Sequence, residues 1–310
     1  MTNKNNWAEY GIHSLNHIGL EIPDLELEQQ FLTEFGLRVS SKDGYLEIRS
    51  SAHDHVWARI KEGKKKKLAY VSVGCYQRHF DGLIKQILEN GGQKAERHPI
   101  GDDDGFWFTD PHGMLLQLRV AGKTMPDSKH PIADMNVPEG VQGATTRRDM
   151  PRVNPFRLAH ILLFTPSVSR SVDFYEKALG VKTADRTGDG VAFTYARFGC
   201  DHHLLAFVAS DGIGIHHTSW DVAGIDDIGV GAERMRSAGY VRQWGLGRHV
   251  LGSNYFNYIC DNFGLWWEYS SHIDYIPEGV MWDGGDHDPE NAFYLWGPEV
   301  PQRFADNNEN

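Results

Sequence analysis

The 310-residue chain contains an internal repeat, and this repeat limits its possible folds more than any other feature. Residues 15–25 align with residues 158–168, and each stretch is a short apolar run that ends at a proline. Such a pattern predicts a strand followed by a turn into a helix. The two halves of the chain are therefore expected to form two copies of one architecture.

The order of elements within each copy follows from the apolar periodicity and the glycines. Amphipathic helices are predicted over residues 26–35 and 169–179, and glycines stand at the expected C-caps, Gly36 and Gly180. A second pair of helices is predicted over residues 80–90 and 227–238, before Gly91 and Gly239. Strands separate these helices, so each half contains the order β-α-β-β-β twice. The predicted class is an α+β fold of tandem βαβββ modules.

The repeat also divides the chain. We expect an N-terminal domain without metal over residues 1–125, a connection over 126–155, and a metal-binding catalytic domain over 156–274. The connection is polar and contains several prolines. The tail over 275–310 is rich in large aromatic side chains, which predict that it packs on the body or covers a site. Trp282, Phe293, Tyr294 and Trp296 are among them.

Charge and cysteine content exclude some classes of protein. The formal net charge of −11 argues against a nucleic-acid or membrane-surface partner, which would need a basic patch. The first 16 residues are polar, and no apolar stretch is long enough to span a bilayer. The three cysteines are far apart and form no CxxC motif, so neither a disulfide framework nor a cysteine zinc site is expected. The default location is the cytoplasm.

Three residues in predicted strands of the second half have side chains that bind metals. His160, His217 and Glu268 would provide two imidazoles and one carboxylate, leaving other coordination positions open. Non-haem Fe(II) enzymes that handle O₂ use this set of ligands. Neighbours in a strand point to opposite faces, so only one of His216 and His217 can reach the ion, and alternation alone does not decide which.

The first half lacks this set of ligands. In the alignment, His17 corresponds to His160, Ala69 to His217 and Gln117 to Glu268. Metal is therefore expected in the second half alone. Each residue also has a simpler interpretation: His160 could be a core histidine, and Glu268 could face solvent from an edge strand.

The tandem modules and the His160, His217, Glu268 set resemble the vicinal oxygen chelate superfamily, and within it the type I extradiol ring-cleavage dioxygenases. The resemblance runs from about residue 15 to about residue 271. It implies two barrel-like domains of two modules each. It also implies cleavage of a catechol by O₂ at Fe(II), with Mn(II) as a possible replacement, and it favours His217 over His216 as the ligand.

The resemblance also implies catalytic roles for His203, His249 and Tyr258. His203 fits the family pattern better than His202, because Ala206 and Phe207 follow it at the family's spacing. Its implied role is proton transfer, for which a pKa near neutrality is suitable. The simpler interpretations are a surface strand histidine and a core tyrosine.

The implied substrate is a catechol with an aryl or alkyl substituent, because Trp, Phe and Tyr are abundant in the second half. The implied assembly is a homo-oligomer of four or more subunits. Two other functions are compatible with the same sequence features. One is a glyoxalase-like metal-dependent isomerase or transferase, and the other is a protein that binds a small aromatic compound without changing it.

Overall fold

A computed structural model describes residues 7–131 and 137–309 of the chain. Residues 1–6 of the predicted N-terminal domain, 132–136 of the predicted connection and 310 of the predicted tail lie outside the described residues.

The first half forms an eight-stranded sheet with two helices. The order of the strands in the sheet is β2-β3-β4-β1-β5-β8-β7-β6. In chain order the elements are β1 (Ser14–Ile22), α1 (Leu25–Phe35), β2 (Arg38–Lys42), β3 (Tyr45–Arg49), β4 (Val56–Glu62), β5 (Lys67–Cys75), α2 (Gln77–Glu89), β6 (Gln93–Lys94), β7 (Phe106–Thr109) and β8 (Leu115–Val120).

The second half forms a nine-stranded sheet with the same arrangement, to which the tail adds one strand. The order is β10-β11-β13-β9-β14-β17-β16-β15-β19, and β12 pairs separately with β18. In chain order the elements are β9 (Arg157–Thr165), α3 (Val168–Leu179), β10 (Val181–Thr187), β11 (Val191–Ala196), β12 (Cys200–Asp201), β13 (Leu205–Ala209), β14 (Gly214–Asp221), α4 (Ile225–Ser237), β15 (Gln243–His249), β16 (Tyr255–Cys260), β17 (Trp266–Ser271), β18 (Tyr275–Ile276), α5 (Pro289–Ala292) and β19 (Tyr294–Trp296).

Each sheet consists of two modules joined at their first strands. β1 pairs with β5 in the first sheet, and β9 pairs with β14 in the second, in both cases antiparallel. The last strand of each module lies parallel to a first strand, as β17 lies beside β14. The α+β class and the tandem βαβββ modules predicted from the repeat are confirmed.

The ends of the helices show why the repeat was visible in the sequence. The side chain of Asp24 accepts hydrogen bonds from two backbone N–H groups of the first turn of α1, and Ser167 caps α3 in a similar way. Gly36 and Gly180 adopt left-handed conformations, with φ of 101° and 64°, which favour glycine. Each half therefore has the same start and stop signals.

The two halves share one hydrophobic core. Helix α1 of the first half packs on the second sheet, where the ring of Phe35 stacks on that of Tyr269 with centroids 4.0 Å apart. The hydroxyl of Tyr269 donates a hydrogen bond to the backbone carbonyl of Phe35 at 2.7 Å. These contacts hold the first half against the sheet that carries the predicted metal ligands.

The tail returns to the second sheet. β19 pairs with β15 at the edge of the sheet, and Glu309 near the end of the chain forms a buried ion pair with Lys66. Among the helices in the described part of the chain, none has the length and the apolar character that crossing a bilayer requires.

Candidate active site

The three predicted metal ligands lie on three adjacent strands. His160 is on β9, His217 on β14 and Glu268 on β17, and β14 lies between the other two strands. Ser219 of β14 is opposite both His160 and Glu268. Because side chains alternate along a strand, His217 shares the face of Ser219, two residues further along. The register of the sheet therefore brings all three side chains together.

The ligand atoms of these residues face one another at short distances. His160 Nε2 lies 3.3 Å from Glu268 Oε2, and His217 Nε2 lies 3.7 Å from the same oxygen. All three atoms lie within 4.8 Å of one another. His217 Nε2 and Glu268 Oε2 are buried and have no hydrogen-bond partner within residues 7–131 and 137–309. A buried polar atom without a partner costs about 1–3 kcal/mol, so this arrangement fits a divalent metal that would satisfy both atoms.

The protonation state of His217 suits a metal ligand. Burial lowers its pKa well below the ordinary value, and the nearby His216, His160 and His249 lower it further. The imidazole is therefore neutral, as a metal ligand must be. His217 Nδ1 lies 2.8 Å from Nδ1 of His216, and this hydrogen bond fixes the ring from behind.

Glu268 is held in place by a neighbour that the sequence analysis did not identify. Its side chain is fully buried, and Oε1 accepts a hydrogen bond of 3.1 Å from the side-chain amide of Asn254. This bond leaves Oε2 facing the two histidines. Asn254 precedes β16, and its contact with Glu268 depends on the pairing of β16 with β17.

His202 and His203 point in different directions. The ring of His203 lies against that of His160, with centroids 4.1 Å apart, and it lines the cavity above the ligands. His202 Nε2 instead lies 2.7 Å from a carboxylate oxygen of Asp185. Burial lowers the pKa of His203 well below the ordinary value, and His160, His202, His217 and His249 add to the effect. This lowered pKa of His203 differs from the pKa near neutrality that its implied role led us to expect.

His249 and Tyr258 form a hydrogen-bonded pair beside Glu268. The backbone carbonyl of Phe293 lies 2.8 Å from His249 Nδ1, so this nitrogen carries the proton and donates it. His249 Nε2 therefore accepts the hydrogen bond of 3.0 Å from the hydroxyl of Tyr258. Tyr258 is opposite Glu268 in the sheet, and burial, followed by the charge of Glu268, raises its pKa well above the ordinary value.

Tyr255, three residues earlier on the same strand, lies elsewhere. Its hydroxyl accepts a hydrogen bond of 3.2 Å from Arg248, and its ring lies against that of His272. Tyr255 and Tyr258 are an odd number of residues apart on β16, so their side chains lie on opposite faces of the sheet, which agrees with these contacts. Arg248 makes this contact with Tyr255 and a second with the backbone carbonyl of Ser253.

A cavity of about 560 Å³ opens above these residues. Its walls are mainly apolar, and Leu162, Val191, Phe193 and Leu251 of the second domain form part of them. The tail contributes a further part, which we call the tail roof: Phe293, Val300, Pro301 and Phe304. Arg303 and Asp306 of the tail also line the cavity and form an ion pair of 2.6 Å with each other.

The corresponding place in the first sheet is filled by the protein itself. Ser72 is opposite His17 and Gln117, as Ser219 is opposite His160 and Glu268. Counting back two residues from Ser72 gives Tyr70 as the counterpart of His217. The alignment of Ala69 with His217 was therefore wrong by one residue. The hydroxyl of Tyr70 lies 3.0 Å from His17 Nε2, which leaves no space there for an ion.

Charged residues close this place further. Asp102 forms an ion pair of 2.6 Å with Arg59 and a second with Arg119. The side-chain amide of Gln117 donates to the backbone carbonyl of Asp104 at 2.8 Å. The first sheet therefore has one histidine and an internal ion-pair cluster where the second has a set of three ligand atoms.

Comparison with known proteins agrees with the geometry. Residues 157–269 match the Glyoxalase/Bleomycin resistance protein/Dioxygenase superfamily. Over 300 residues the chain is 47% identical to metapyrocatechase 2 of Cupriavidus necator, covering 97% of this chain and 93% of that one. The chain belongs to the type I extradiol dioxygenases.

Solved structures share the fold of this extradiol dioxygenase. The Mn(II)-bound glyoxalase from Novosphingobium aromaticivorans has a TM-score of 0.75 at 23% identity and covers 94% of each chain. The halotolerant catechol dioxygenase BphC has a TM-score of 0.73 at 22% identity, covering 94% of this chain and 96% of that one.

The turn before β17 of this extradiol dioxygenase lacks the proline found in the corresponding turn of the first half. Asp261-Asn262 stands where the first half has Asp110-Pro111. Asp261 Oδ1 accepts hydrogen bonds from the backbone N–H groups of Phe263 and Leu265 at 2.8 and 2.9 Å. Asp110 accepts the same pair of bonds at the same distances. The aspartate therefore fixes this turn without the proline.

Proposed function

We propose that this extradiol dioxygenase opens the ring of an apolar-substituted catechol beside its two hydroxyl groups, using O₂ and Fe(II) bound by His160, His217 and Glu268. The observation that carries the proposal is the pair of unsatisfied, buried ligand atoms, His217 Nε2 and Glu268 Oε2, at the base of an apolar cavity. The 47% identity with metapyrocatechase 2 over nearly the whole chain supports the same reaction class.

The set of ligands supports a ferrous ion. Two neutral imidazoles and one carboxylate occupy one side of the metal and leave the other side open, as in non-haem Fe(II) enzymes that use O₂. A bound metal would supply the open positions and the electron transfer that this reaction class requires. The same ligands also accept Mn(II), so the choice between the two metals is part of the proposal.

His203 is proposed as the group that moves a proton. Its ring lines the cavity and lies next to His160, so it is close to the place where a catechol bound at the metal would lie. Because burial keeps His203 neutral, its free nitrogen can accept a proton from a catechol hydroxyl and return it later.

His249 and Tyr258 are proposed to orient the catechol oxygens. Their mutual hydrogen bond of 3.0 Å lies beside Glu268 and within the cavity wall. The raised pKa of Tyr258 keeps its hydroxyl protonated; because this proton goes to His249 Nε2, the Tyr258 oxygen can accept a hydrogen bond from a catechol hydroxyl, or give its proton to a substrate oxygen in exchange for the bond to His249. Both side chains are held from behind, His249 by the backbone of Phe293 and Tyr258 by the stacked ring of Trp244.

The size and the apolar lining of the cavity favour a catechol with a bulky apolar substituent as the substrate. Its volume of about 560 Å³ lies in the range of small-molecule sites. Phe193, Leu162 and the tail roof provide apolar surface for an alkyl or aryl group. A substrate with a carboxylate would meet Arg303, but that charge is already paired with Asp306.

The two other functions fit the structure less well. Glyoxalase-like isomerases usually assemble their metal ligands from both modules and often across a dimer, whereas here all three ligand atoms come from the second sheet. A protein that only binds an aromatic compound would not need His203, His249 and Tyr258 around a complete set of ligands. A buried carboxylate costs several kcal/mol to desolvate, and a metal bound between Glu268 and its neighbouring histidines would offset that cost.

The test is anaerobic reconstitution of the purified protein with Fe(II), Mn(II) or Zn(II), followed by O₂ uptake with a panel of catechols. We expect O₂ uptake and a yellow ring-opened product with Fe(II) or Mn(II), and a preference for alkyl- or aryl-substituted catechols over carboxylated ones. The variant Glu268→Ala should lose most of its bound metal. Turnover without O₂ uptake would instead indicate an isomerase.

We also propose that this protein is located in the cytoplasm. All three cysteines are buried free thiols, which agrees with a reducing cytoplasm. The homo-oligomer of four or more subunits stays a prediction. Leu295 and Trp296 on β19, at the edge of the second sheet, are exposed apolar side chains that such an assembly could cover.

A further inference from the structure

Asp185 of β10 is a buried carboxylate that accepts four hydrogen bonds. Oδ2 is bonded by His202 Nε2 at 2.7 Å and by the indole of Trp282 at 2.9 Å. Oδ1 is bonded by the backbone N–H of Gly285 at 2.9 Å and by His287 Nε2 at 2.5 Å. Burial by itself would raise the pKa of Asp185, but the four bonds hold it well below its usual range. Asp185 is therefore a fixed negative charge.

The chain of contacts continues from this charge to the cavity. On the far side of its ring, His202 Nδ1 lies 3.0 Å from Nδ1 of His203. His202 is fully buried and His203 almost so, which keeps both bonds out of water. Asp185, His202 and His203 therefore form a linear series, and its last ring lines the cavity above the metal ligands.

Asp185, at one end of this series, determines which ring nitrogens of His202 and His203 carry protons. A carboxylate can only accept, so His202 Nε2 carries a proton and donates it to Asp185. With this single proton on its ring, His202 has a lone pair on Nδ1, which accepts from Nδ1–H of His203. The lone pair of His203 is thereby on Nε2, the nitrogen on the other side of its ring.

We propose that Asp185 and His202 are positioning residues that hold His203 in the tautomer with its proton on Nδ1 and its lone pair on Nε2. This inference rests on the proposed function, in which His203 accepts a proton from the catechol. The same carboxylate also binds Trp282 and His287 from the tail, so the folding of the tail onto Asp185 and the orientation of His203 depend on one group.

The first sheet provides a matched control. Ala58 is opposite Ile18 as Leu205 is opposite Ile161, so His55 occupies the position of His202, and Val56 that of His203. His55 Nε2 bonds the backbone carbonyl of Asn16 at 2.7 Å. A histidine at this place thus has a structural use in the first sheet, but its neighbour there has no ring to orient.

The experiment uses the metal-loaded enzyme and three variants. His202→Phe keeps a ring of similar size and removes both hydrogen bonds. We expect kcat to fall at least about 100-fold, in the range of a lost proton-transfer group, with catechol KM and metal content within about threefold of wild type. His202→Asn places an amide oxygen where Nδ1 was and should recover at least tenfold of that loss. His55→Phe should keep wild-type kcat.

A second measurement reports the tautomer directly. The imidazole ¹⁵N shifts of His203 in the Zn(II)-loaded protein should show the Nδ1–H form in wild type and a mixture of forms in His202→Phe. A wild-type His203 with its proton on Nε2, or a His202→Phe enzyme with unchanged kcat, would overturn the proposal. Two other results would assign His202 a folding role and also overturn the proposal. One is loss of metal in His202→Phe, and the other is a fall of kcat in His55→Phe as large as that in His202→Phe. Absence of O₂ uptake in wild type would instead count against the proposed function.

Discussion

Lys66 connects the first half of the chain to the tail that covers the active-site cavity. Its ammonium donates to Glu309 Oε1 at 2.9 Å and to the backbone carbonyl of Ile215 at 3.2 Å. Glu309 also accepts from the backbone N–H groups of Ile215 and Leu68, at 3.0 and 2.9 Å. Both charged side chains are at most 4% exposed. The substitution Lys66→Met should therefore release the tail.

The expected magnitude follows from this burial. Removing one partner of a buried ion pair costs about 3–5 kcal/mol, because the other charge is left unpaired away from water. Glu309 can avoid this cost if the tail opens and the carboxylate returns to water. The equilibrium constant for opening the tail should thus rise by about 10²- to 10³-fold, since about 1.4 kcal/mol corresponds to a factor of ten.

Hydrogen exchange and limited proteolysis over residues 289–309 measure this opening. In Lys66→Met the tail should exchange and be cleaved faster, while β9 and β14 keep their protection. The KM for an apolar catechol should rise, because the tail roof forms one wall of the cavity. The double variant Lys66→Met, Glu309→Met removes both charges and should recover most of the protection. Equal protection in wild type and Lys66→Met, or a double variant as open as the single one, would refute this reasoning.

Two further predictions concern turnover and stability. His203→Ala should bind metal as wild type does but lose most of its turnover, because the side chain lines the cavity without being a ligand; full activity in a catechol oxygen-uptake assay would remove it from the mechanism. Gly36→Ala should destabilise the protein by at least about 2 kcal/mol in urea unfolding, because φ is +101° and the new Cβ would lie 2.1 Å from the carbonyl oxygen of Val153. Gly44→Ala, with φ of +84° but open space around it, should cost about half as much, and equal losses would show that the contact with Val153 does not matter.

Much of the fold was readable from the sequence because its signals are local. A proline after β1 and after β9, and a glycine after each of the helices α1 to α4, mark the same boundaries in both halves, as Gly36 and Gly180 show. The grouping of His160 and Glu268 with one histidine of β14 was also predictable, since these residues lie in apolar strands of the second half; the family resemblance, and not the spacing, favoured His217 over His216. Alternation along β14 correctly implied that only one of two neighbouring histidines joins the group.

The exact counterpart of His217 was not predictable, because the register of the strands is not regular. β1 pairs with β5 with a shift between Gly19 and Leu20, and β9 pairs with β14 with a shift beside His217. Such irregularities move every following side chain relative to the partner strand. Aligning the two halves by apolar pattern therefore gave Ala69, whereas the sheet places Tyr70 there.

Residues that reach the site from far along the chain were also missed. Asp185, Asn254 and Phe304 act through contacts that depend on the path of the tail and on strand pairing. Neither periodicity nor spacing records such contacts. The one available signal was the aromatic content of the tail, which predicted contact with the body without identifying the residues involved.

The filled counterpart in the first sheet has a consequence for how this duplicated protein could change. Introducing histidine at Tyr70 and glutamate at Gln117 would recreate the residue types of a second centre but not the space for it. The guanidinium groups of Arg59 and Arg119 would remain bound to Asp102 in the same volume, and their positive charges would repel an incoming cation. Restoring a metal site in this copy would therefore also require removing the ion pairs that Asp102 forms with Arg59 and Arg119.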